Sequence, residues 1–422
     1  MSRLPFELML ALRYLRPKRT FVSIITLICI FGVMLGVAVL ITVISVMTGF
    51  DRELRTRIIG FNPHIRLTTH TNSIVGYQPL VEKLKALPDV KEVAPYVFGQ
   101  VIIETQNTPQ PYTLAVYVRA VNPKLETNMT VLPSSMVSGG YNLGQRKVVI
   151  GSGLARGLGV DVGDILAIYS PHDLKRMRDA KQKGEEEGIL PEDFEITGIF
   201  DVGYYEYNST FILTSLRDGQ DFFDFDDQVH GLMIFLKDPE RADLVRMELE
   251  KELPGNYAFS TWTEENSTFL DALVVEKSVM FYILFFIMVV AAFGIMSALI
   301  TFVVQKTREI GMLKALGATS GQIMRVFLGQ SLIVGVLGVL SGYGLGLLAV
   351  AYRNEFLRFM NKMTGFELFP ARIYNFSELP ALIVPRDIAI ICVASLVICI
   401  AAGLFPAWNA GRLKPVEALR HE

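Results

Sequence analysis

Residues able to do chemistry are few in this sequence, and their spacing argues against most reactions. The five histidines are His64, His70, His172, His230 and His421. Only His64 and His70 are close, and no cysteine joins either, so the pattern predicts no metal site. Cys29, Cys392 and Cys399 all fall in apolar stretches. The last two are seven positions apart, about 10 Å along one helix face, too far for a disulfide. No G-x-x-x-x-G-K-[ST] run occurs, so the chain has no phosphate-cradling loop. GSGLARGLG, residues 151–159, is glycine-rich but has no lysine at its end, and reads as a strand-to-helix turn. Ser, His and Asp follow no order that marks a nucleophile. Asn128, Asn208 and Asn266 each open an N-x-[ST] sequon, which means little if the cell is bacterial. The expectation is a chain without catalysis, metal or a cofactor of its own.

The most organised polar stretch is QKTREIGMLKALGATSGQIM, residues 305–324, set between two strongly apolar runs. Lys306 to Leu316 are good helix formers apart from Thr307 and Gly311. Gly317 suits the left-handed position that ends a helix. Thr319 followed by Gln322 has the spacing of a capping box. Ile310, Leu313 and Leu316 recur at three-residue spacing as an apolar ridge, flanked by Arg308, Glu309 and Lys314. Two readings fit these residues equally: a helix resting on lipid headgroups, or a peg inserted into a soluble partner.

The elements that position this segment are apolar. The chain has 422 residues, half of them hydrophobic, with a mean hydropathy of +0.38. That balance predicts a membrane part and a water-facing part, and the net charge of −2 gives no reason to invoke nucleic acid. Four stretches reach the roughly 20 apolar residues that a bilayer requires: 21–47, 278–304, 326–352 and 388–406. The first could be a signal peptide, but such apolar regions run to about 15 residues and end in a small-residue cleavage site. Here 27 uncharged residues end in SVMTGF, which reads as a retained anchor. Residues 48–277 are too polar for the membrane. HIRLTT, VFGQVIIET, YTLAVYVRAV, HGLMIFL and YAFSTW read as strands, with PLVEKLKAL and DPERADLVRMELEKEL as helices. The expected domain is α+β, with a second subdomain inserted at about 121–227.

Four spans put both termini and 305–325 on one side, and 48–277 and 353–387 on the other. Lys and Arg number five before the first span, four in 305–325 and three in the tail 407–422. The opposite side has Arg52, Arg55 and Arg57 beside the first span and five more in 353–386. Their density mildly favours termini inside, and charge counting leaves the orientation open.

EIGMLKALGATSGQI resembles the coupling segment of the FtsX/MacB superfamily of ABC-transporter permeases, and PVEALRHE resembles that superfamily's C-terminal motif. ISVMTGFDREL, IIGFNPHI and FLDALVVEKSVM are similar to the LolC/LolE-type lipoprotein-release permeases. The likeness covers the first 66 residues and 265–422 well, and rests between them on VVIGSGLARGLGVDVGD and FEITGIFDVG. It implies a MacB-like fold: four transmembrane helices, with a large periplasmic α+β domain inserted between the first and second. Residues 1–20, 305–325 and 407–422 would be cytoplasmic, and 353–387 a periplasmic loop. Arg308, Glu309, Ile310, Leu313, Lys314, Leu316, Gly317 and Ala318 would form the coupling helix on a separate LolD-like ATPase, which would bind the ATP and magnesium. A second permease subunit, alike or different, and a lipoprotein substrate complete the expected bacterial inner-membrane assembly. Superfamily relatives that export small molecules or regulate cell-wall hydrolases are the alternative. A membrane sensor or scaffold without transport is a second.

Further expectations attach to particular residues. Gly32 and Gly36, and Gly338, Gly342 and Gly346, have the four-residue spacing that lets membrane helices approach closely. The triple is expected to pack on the first span or on a sister subunit. Residues 265–277 are read as an outward helical extension of the second span. Joined to the extension on the other side, it would make one rod; the bland reading is a cap beneath the domain. Met47, Phe50, Phe269 and Met280 are candidates for acyl-chain contact, by depth and apolarity alone. SPHDLKRMRDAKQKGEEEGILPEDF, residues 170–194, is the most polar stretch. It reads as a solvated loop, or, by position in the family, as a hook for a periplasmic lipoprotein chaperone, with Lys175, Arg176 and Arg178 as contacts.

Overall fold

The computed structural model describes residues 21–420 apart from 71–72, 107–110, 128, 174, 177–190, 254 and 366–377. The described residues form two compact units. One comprises 21–51, 272–365 and 378–420, and the other 52–271.

The long helix α1, Phe21–Phe61, begins in the first unit, and its last residues, from Arg52, belong to the second. It runs 14 residues beyond Met47, because hydropathy marks only the apolar part of a helix and says nothing of a charged continuation. The second unit is built on a ten-stranded sheet. Its strands are β1 (Ile65–Thr69), β3 (Val90–Thr105), β4 (Thr113–Val121), β5 (Met136–Gly139), β6 (Lys147–Gly151), β7 (Ile165–Tyr169), β8 (Glu192–Phe200), β9 (Phe211–Ser215), β11 (Gly231–Leu236) and β12 (Tyr257–Thr261). The order is β12-β1-β11-β3-β4-β9-β6-β8-β5, with β7 pairing β3 and β8. A separate two-stranded pair joins β2 (Ile74–Val75) to β10 (Gln228–Val229).

The sheet corrects the expectation of an inserted subdomain. β3 is 16 residues long. Its first half pairs with β11, from Val90 to Tyr96, and the rest with β4, from Tyr96 to Glu104. The end of β3 also pairs with β7, from Ile102 to Thr105, and β4 pairs with β9, from Tyr117 to Val121, so one sheet runs across the supposed boundary. Separate apolar clusters still form at the two ends of the sheet. Helices α2 (Gln78–Lys85) and α3 (Ala242–Glu252) bury Leu84, Val245 and Leu249 against β1 and β11 at one end. Ile150, Ile168 and Phe194 fill the other. GSGLARGLG is a strand-to-helix turn: β6 ends at Gly151, a helix spans Ser152–Leu158, and Gly159 closes it at φ 69°.

In the first unit, α4 (Ser267–Gln305, of which the residues from Ala272 belong here), α6 (Ser320–Ala351) and α8 (Pro385–Arg412) join α1 as helices long and apolar enough to cross a membrane. Between α4 and α6 lies α5 (Thr307–Ala315), and after α6 comes α7 (Arg353–Thr364). The short helix α9 (Pro415–Arg420) follows α8. The glycines of α6 face α1. A Cβ on Gly338 would lie 2.7 Å from Val33 Cβ, and one on Gly346 3.0 Å from Ile41 Cβ. The equivalent atom on Gly342 would stand 2.7 Å from the Met34 carbonyl oxygen and 2.8 Å from Val37 Cβ. The other side of α6 meets α8, where the Ser331 hydroxyl donates to the Cys399 carbonyl at 2.7 Å. The pair in α1 is different. Gly32 is exposed with nothing near its Cβ position, and Gly36 meets only the Met288 side chain at 3.6 Å.

Two further expectations change. α4 stops at Gln305, and the backbone turns at Lys306 (φ −100°, ψ 7°) before α5 begins, so no unbroken rod reaches Gly317. Residues 353–387 are not merely loop, since α7 occupies their first twelve. Its apolar positions, Phe356, Phe359 and Met363, are spaced as one helix face that the search for long apolar runs passes over.

Candidate functional site

The segment 305–325 is closed at both ends by specific hydrogen bonds. The Lys306 amide bonds the Phe302 and Val303 carbonyls, at 3.0 and 3.2 Å, as α4 ends. At the other end of α5, the Ala318 amide bonds the Leu313 carbonyl at 3.0 Å and the Gly317 amide bonds the Lys314 carbonyl at 3.1 Å. That double closure is a Schellman motif, and it requires Gly317 at φ 105°. The Thr319 hydroxyl then accepts from the Gln322 amide while the Gln322 side chain accepts from the Thr319 amide, which opens α6. The segment is therefore a short helix held rigidly between two spans.

Its expected apolar ridge divides. Ile310 is 2% exposed, and Leu313 is half-buried, both packed with Phe302, Phe327, Ala407 and Ala410. Ala318 joins the edge of this cluster. Leu316, by contrast, is 86% exposed. Lys314 does not face solvent freely: its ammonium donates to the Gly411 and Leu413 carbonyls at 2.8 and 2.7 Å, closing the C-terminus of α8. There it also faces the negative end of that helix's dipole. Glu309 pairs with Lys306 within the segment. The face turned outward is Arg308, Met312, Ala315 and Leu316. Met312, 47% exposed, was missed by the sequence reading. Its position four residues after Arg308 and four before Leu316 was the available signal.

A second feature lies at the other ends of the spans, near the start of α8. A cleft of about 380 Å³ is bounded by Ile44 of α1, by Val274, Lys277, Phe281 and Tyr282 of α4, and by Asp387 and Ile390 of α8. The Lys277 ammonium reaches the Thr48 hydroxyl at 3.3 Å. Nearby, the Leu382 amide bonds the Ser45 carbonyl at 2.8 Å. Met47, Phe50 and Met280 are half-buried and do not line this cleft. Phe269 belongs to the core of the second unit, with its ring 6.2 Å from that of Tyr204.

β7 and β8 pair antiparallel, with Ile165 opposite Glu195, so residues 170–191 connect the two strands and the end of the polar stretch, from Glu192, belongs to β8. A turn after β7 is fixed by Ser170, whose hydroxyl donates to the Asp173 carboxylate at 2.6 Å. Lys175 and Arg176 are exposed beyond it. Arg178 and most of the stretch lie outside the described residues. Among the described residues no group of His, Cys, Asp and Glu could hold a metal.

Comparison with known proteins assigns the family. The FtsX-like permease C-terminal model matches residues 281–415, and the MacB-like periplasmic core domain matches 26–252. A lipoprotein-releasing system transmembrane protein LolC of Xylella fastidiosa is 31% identical over 99% of each chain. A LolC of Neisseria meningitidis is 29% identical over 99% of each, and a LolE of Haemophilus influenzae 27% identical over 96% of each. The periplasmic region of MacB from Actinobacillus actinomycetemcomitans, a solved structure, aligns with 50% of this chain and 94% of its own at 10% identity and a TM-score of 0.32. With a MacB-like core, an FtsX-like C-terminal half and relatives matched end to end, the chain is a multi-pass membrane protein of the LolC/LolE family of lipoprotein-releasing transmembrane proteins.

Proposed function

We propose that this chain is the permease subunit of an ABC transporter that extracts lipoproteins from a bacterial inner membrane, driven by a separate ATPase. The full-length similarity to lipoprotein-releasing transmembrane proteins carries the reading. In it, α5 is seated on a LolD-like ATPase, which binds ATP and magnesium. The chain then has no catalytic task of its own. Both termini are cytoplasmic and the ten-stranded domain is periplasmic. A second permease subunit, the same or a relative, completes the membrane part, and a periplasmic chaperone receives the lipoprotein.

The outward face of α5 supports the peg. A helix resting on lipid would present its apolar ridge to the membrane, whereas Ile310 is buried in this chain and Leu316 projects with Met312 beside Arg308. The cleft at Ile44, Phe281 and Ile390 is the natural place for acyl chains. Removing an acyl chain from a bilayer costs about 0.8 kcal/mol per CH₂, so a lipid-anchored substrate demands more than one binding event returns. That is the physical reason for an ATPase.

Co-purification tests this reading. Wild type should bring down the ATPase from its own cell. Gly317→Pro, which the φ of 105° forbids, and Leu316→Asp, a surface change, should each lose it while the permease remains in the membrane. Retention of the ATPase by both variants would mean that α5 is not its docking site.

A further inference from the structure

The helix α7 buries none of its residues fully. Phe356, Phe359 and Met363 are between 58% and 72% exposed, and among the described residues no apolar cluster of either unit contains them. On a helical projection the three fall within about 60° of one another. Leu357 and Met360 beside them are half-buried, so one edge of the helix rests on the chain while the broad face stays open. The opposite side carries the exposed Arg358 and Lys362 with a single acid, Glu355. The helix is held firmly at its start. The Arg353 guanidinium donates to the Val350 carbonyl at 2.9 Å and to the Leu379 carbonyl. The Asn354 side chain donates to the Glu378 carboxylate at 3.0 Å and accepts the Leu379 amide at 3.0 Å. The segment so gripped sits in turn on α1, where the Leu382 amide bonds the Ser45 carbonyl and a Cβ on Gly49 would meet the Ala381 backbone.

What covers this face follows from where the helix begins. As a helix, the apolar run 326–352 extends for roughly 40 Å, more than the roughly 30 Å of hydrocarbon in a bilayer. Its end at Tyr352 therefore reaches the membrane surface, the level that tyrosine favours. Leu348, Tyr352 and Phe356 follow one another at four-residue spacing and are all exposed, so the apolar strip on the outside of the span continues onto α7. Basic side chains on the far side of such a face suit headgroup phosphates. We propose that α7 lies on the bilayer surface, with Phe356, Phe359 and Met363 among the acyl chains and Arg358 and Lys362 toward the phosphates. Because its first turn grips residues 378–379, and the residues that follow them sit on α1, the seated helix also fixes the end of the first span at that surface. The proposal rests on the assignment as a multi-pass membrane protein, and the ATPase and α5 play no part in it.

The test uses the full chain in phosphatidylcholine nanodiscs, as Phe359→Trp and, for the opposite side, as Arg358→Trp. Both positions are exposed, so neither change disturbs packing. The native Trp262 and Trp408 are common to every variant, and subtracting the wild-type emission isolates the added indole. Emission from Phe359→Trp should be quenched several-fold more by phosphatidylcholine brominated on its acyl chains than by iodide in the water. Emission from Arg358→Trp should show the reverse order. Met363→Trp repeats the measurement one turn later, so the result does not hang on one variant. Quenching of the Phe359→Trp and Met363→Trp indoles by iodide as strong as by the brominated lipid would place the face in water and overturn the proposal. Protection of both from either quencher would overturn it as well, because a second copy of the chain or another protein would then cover the face.

Discussion

Ile310, Leu313 and Leu316 have the spacing of a ridge, yet the first two are covered by α6 and α8 and the third is bare. Spacing within one helix cannot say which face a later helix will cover, and Ala407 and Ala410 lie almost one hundred residues downstream. Lys314 is the same case, since the carbonyls that hold it belong to Gly411 and Leu413. His64 shows what burial does to a titrating group. Burial first, and the Lys91 ammonium next, push its pKa from 6.5 to about 4. The unfolded chain therefore takes up the proton first as pH falls. The contribution to stability is complete above pH 6.5 and is lost progressively between 6.5 and 4. It amounts to roughly 3 kcal/mol over that window. Urea unfolding of wild type and His64→Gln at pH 7.5 and 5 reads it, because the difference between the two proteins cancels the other titrating groups. Wild type should lose about 2 kcal/mol more than the variant. Equal losses would mean that His64 titrates normally.

Whole elements were easier to read than residues. Alternating hydrophobicity located β1, β4, β11 and β12 to within a residue or two, and the periodic patterns located α2 and α3. What the pattern could not supply was extent. β3 begins seven residues before VFGQVIIET, because Lys91 and Glu92 interrupt the alternation while β11 still pairs with Glu92 and, past a register shift at Lys91, with Val90. The glycines of α6 illustrate the opposite limit. Four-residue spacing marks a face, and only the packed fold names its partner. Since that partner is α1 of the same chain, Gly342→Leu acts on folding rather than on assembly with another subunit. The added side chain has no route past the Met34 carbonyl and Val37. Overpacking of this kind costs about 3 kcal/mol. The singly expressed chain in detergent should unfold several degrees lower by differential scanning fluorimetry, with its yield reduced. Gly32→Leu, on an open surface of α1, serves as the control and should leave the unfolding temperature in place. A normal unfolding temperature for Gly342→Leu would show that the two helices separate freely.

At the scale of the whole molecule, the question is how a movement of a membrane helix reaches the sheet. α1 is continuous from the first unit into the second, and its last carbonyl, on Phe61, accepts the Arg119 guanidinium at 2.8 Å. The same guanidinium lies 4.2 Å from the centre of the Phe61 ring and donates to Glu126 at 2.9 Å. Arg119 is in β4, in the middle of the sheet, and both charged groups are buried. Burial pushes the Glu126 carboxyl up, and Arg119 opposes that shift. Buried pairs of this sort are weak evidence of stability, because their desolvation offsets most of the attraction. A directional tie between a helix end and a strand is a better account of the pair, and it yields a prediction specific to transport. Removing Arg119 alone would strand Glu126 and cost about 3–5 kcal/mol, so the informative variant is Arg119→Met/Glu126→Gln, which removes charge and nearly keeps volume. The domain should remain folded by circular dichroism, and the chain should still co-purify the ATPase proposed to dock on α5. ATP-driven release of a lipoprotein from proteoliposomes should nevertheless fall at least tenfold, a loss of about 1.4 kcal/mol or more of coupling. Release at the wild-type rate would mean that the grip on Phe61 only completes the core, and that force reaches the sheet through the packing of Phe61 against Tyr207 and Phe211 instead.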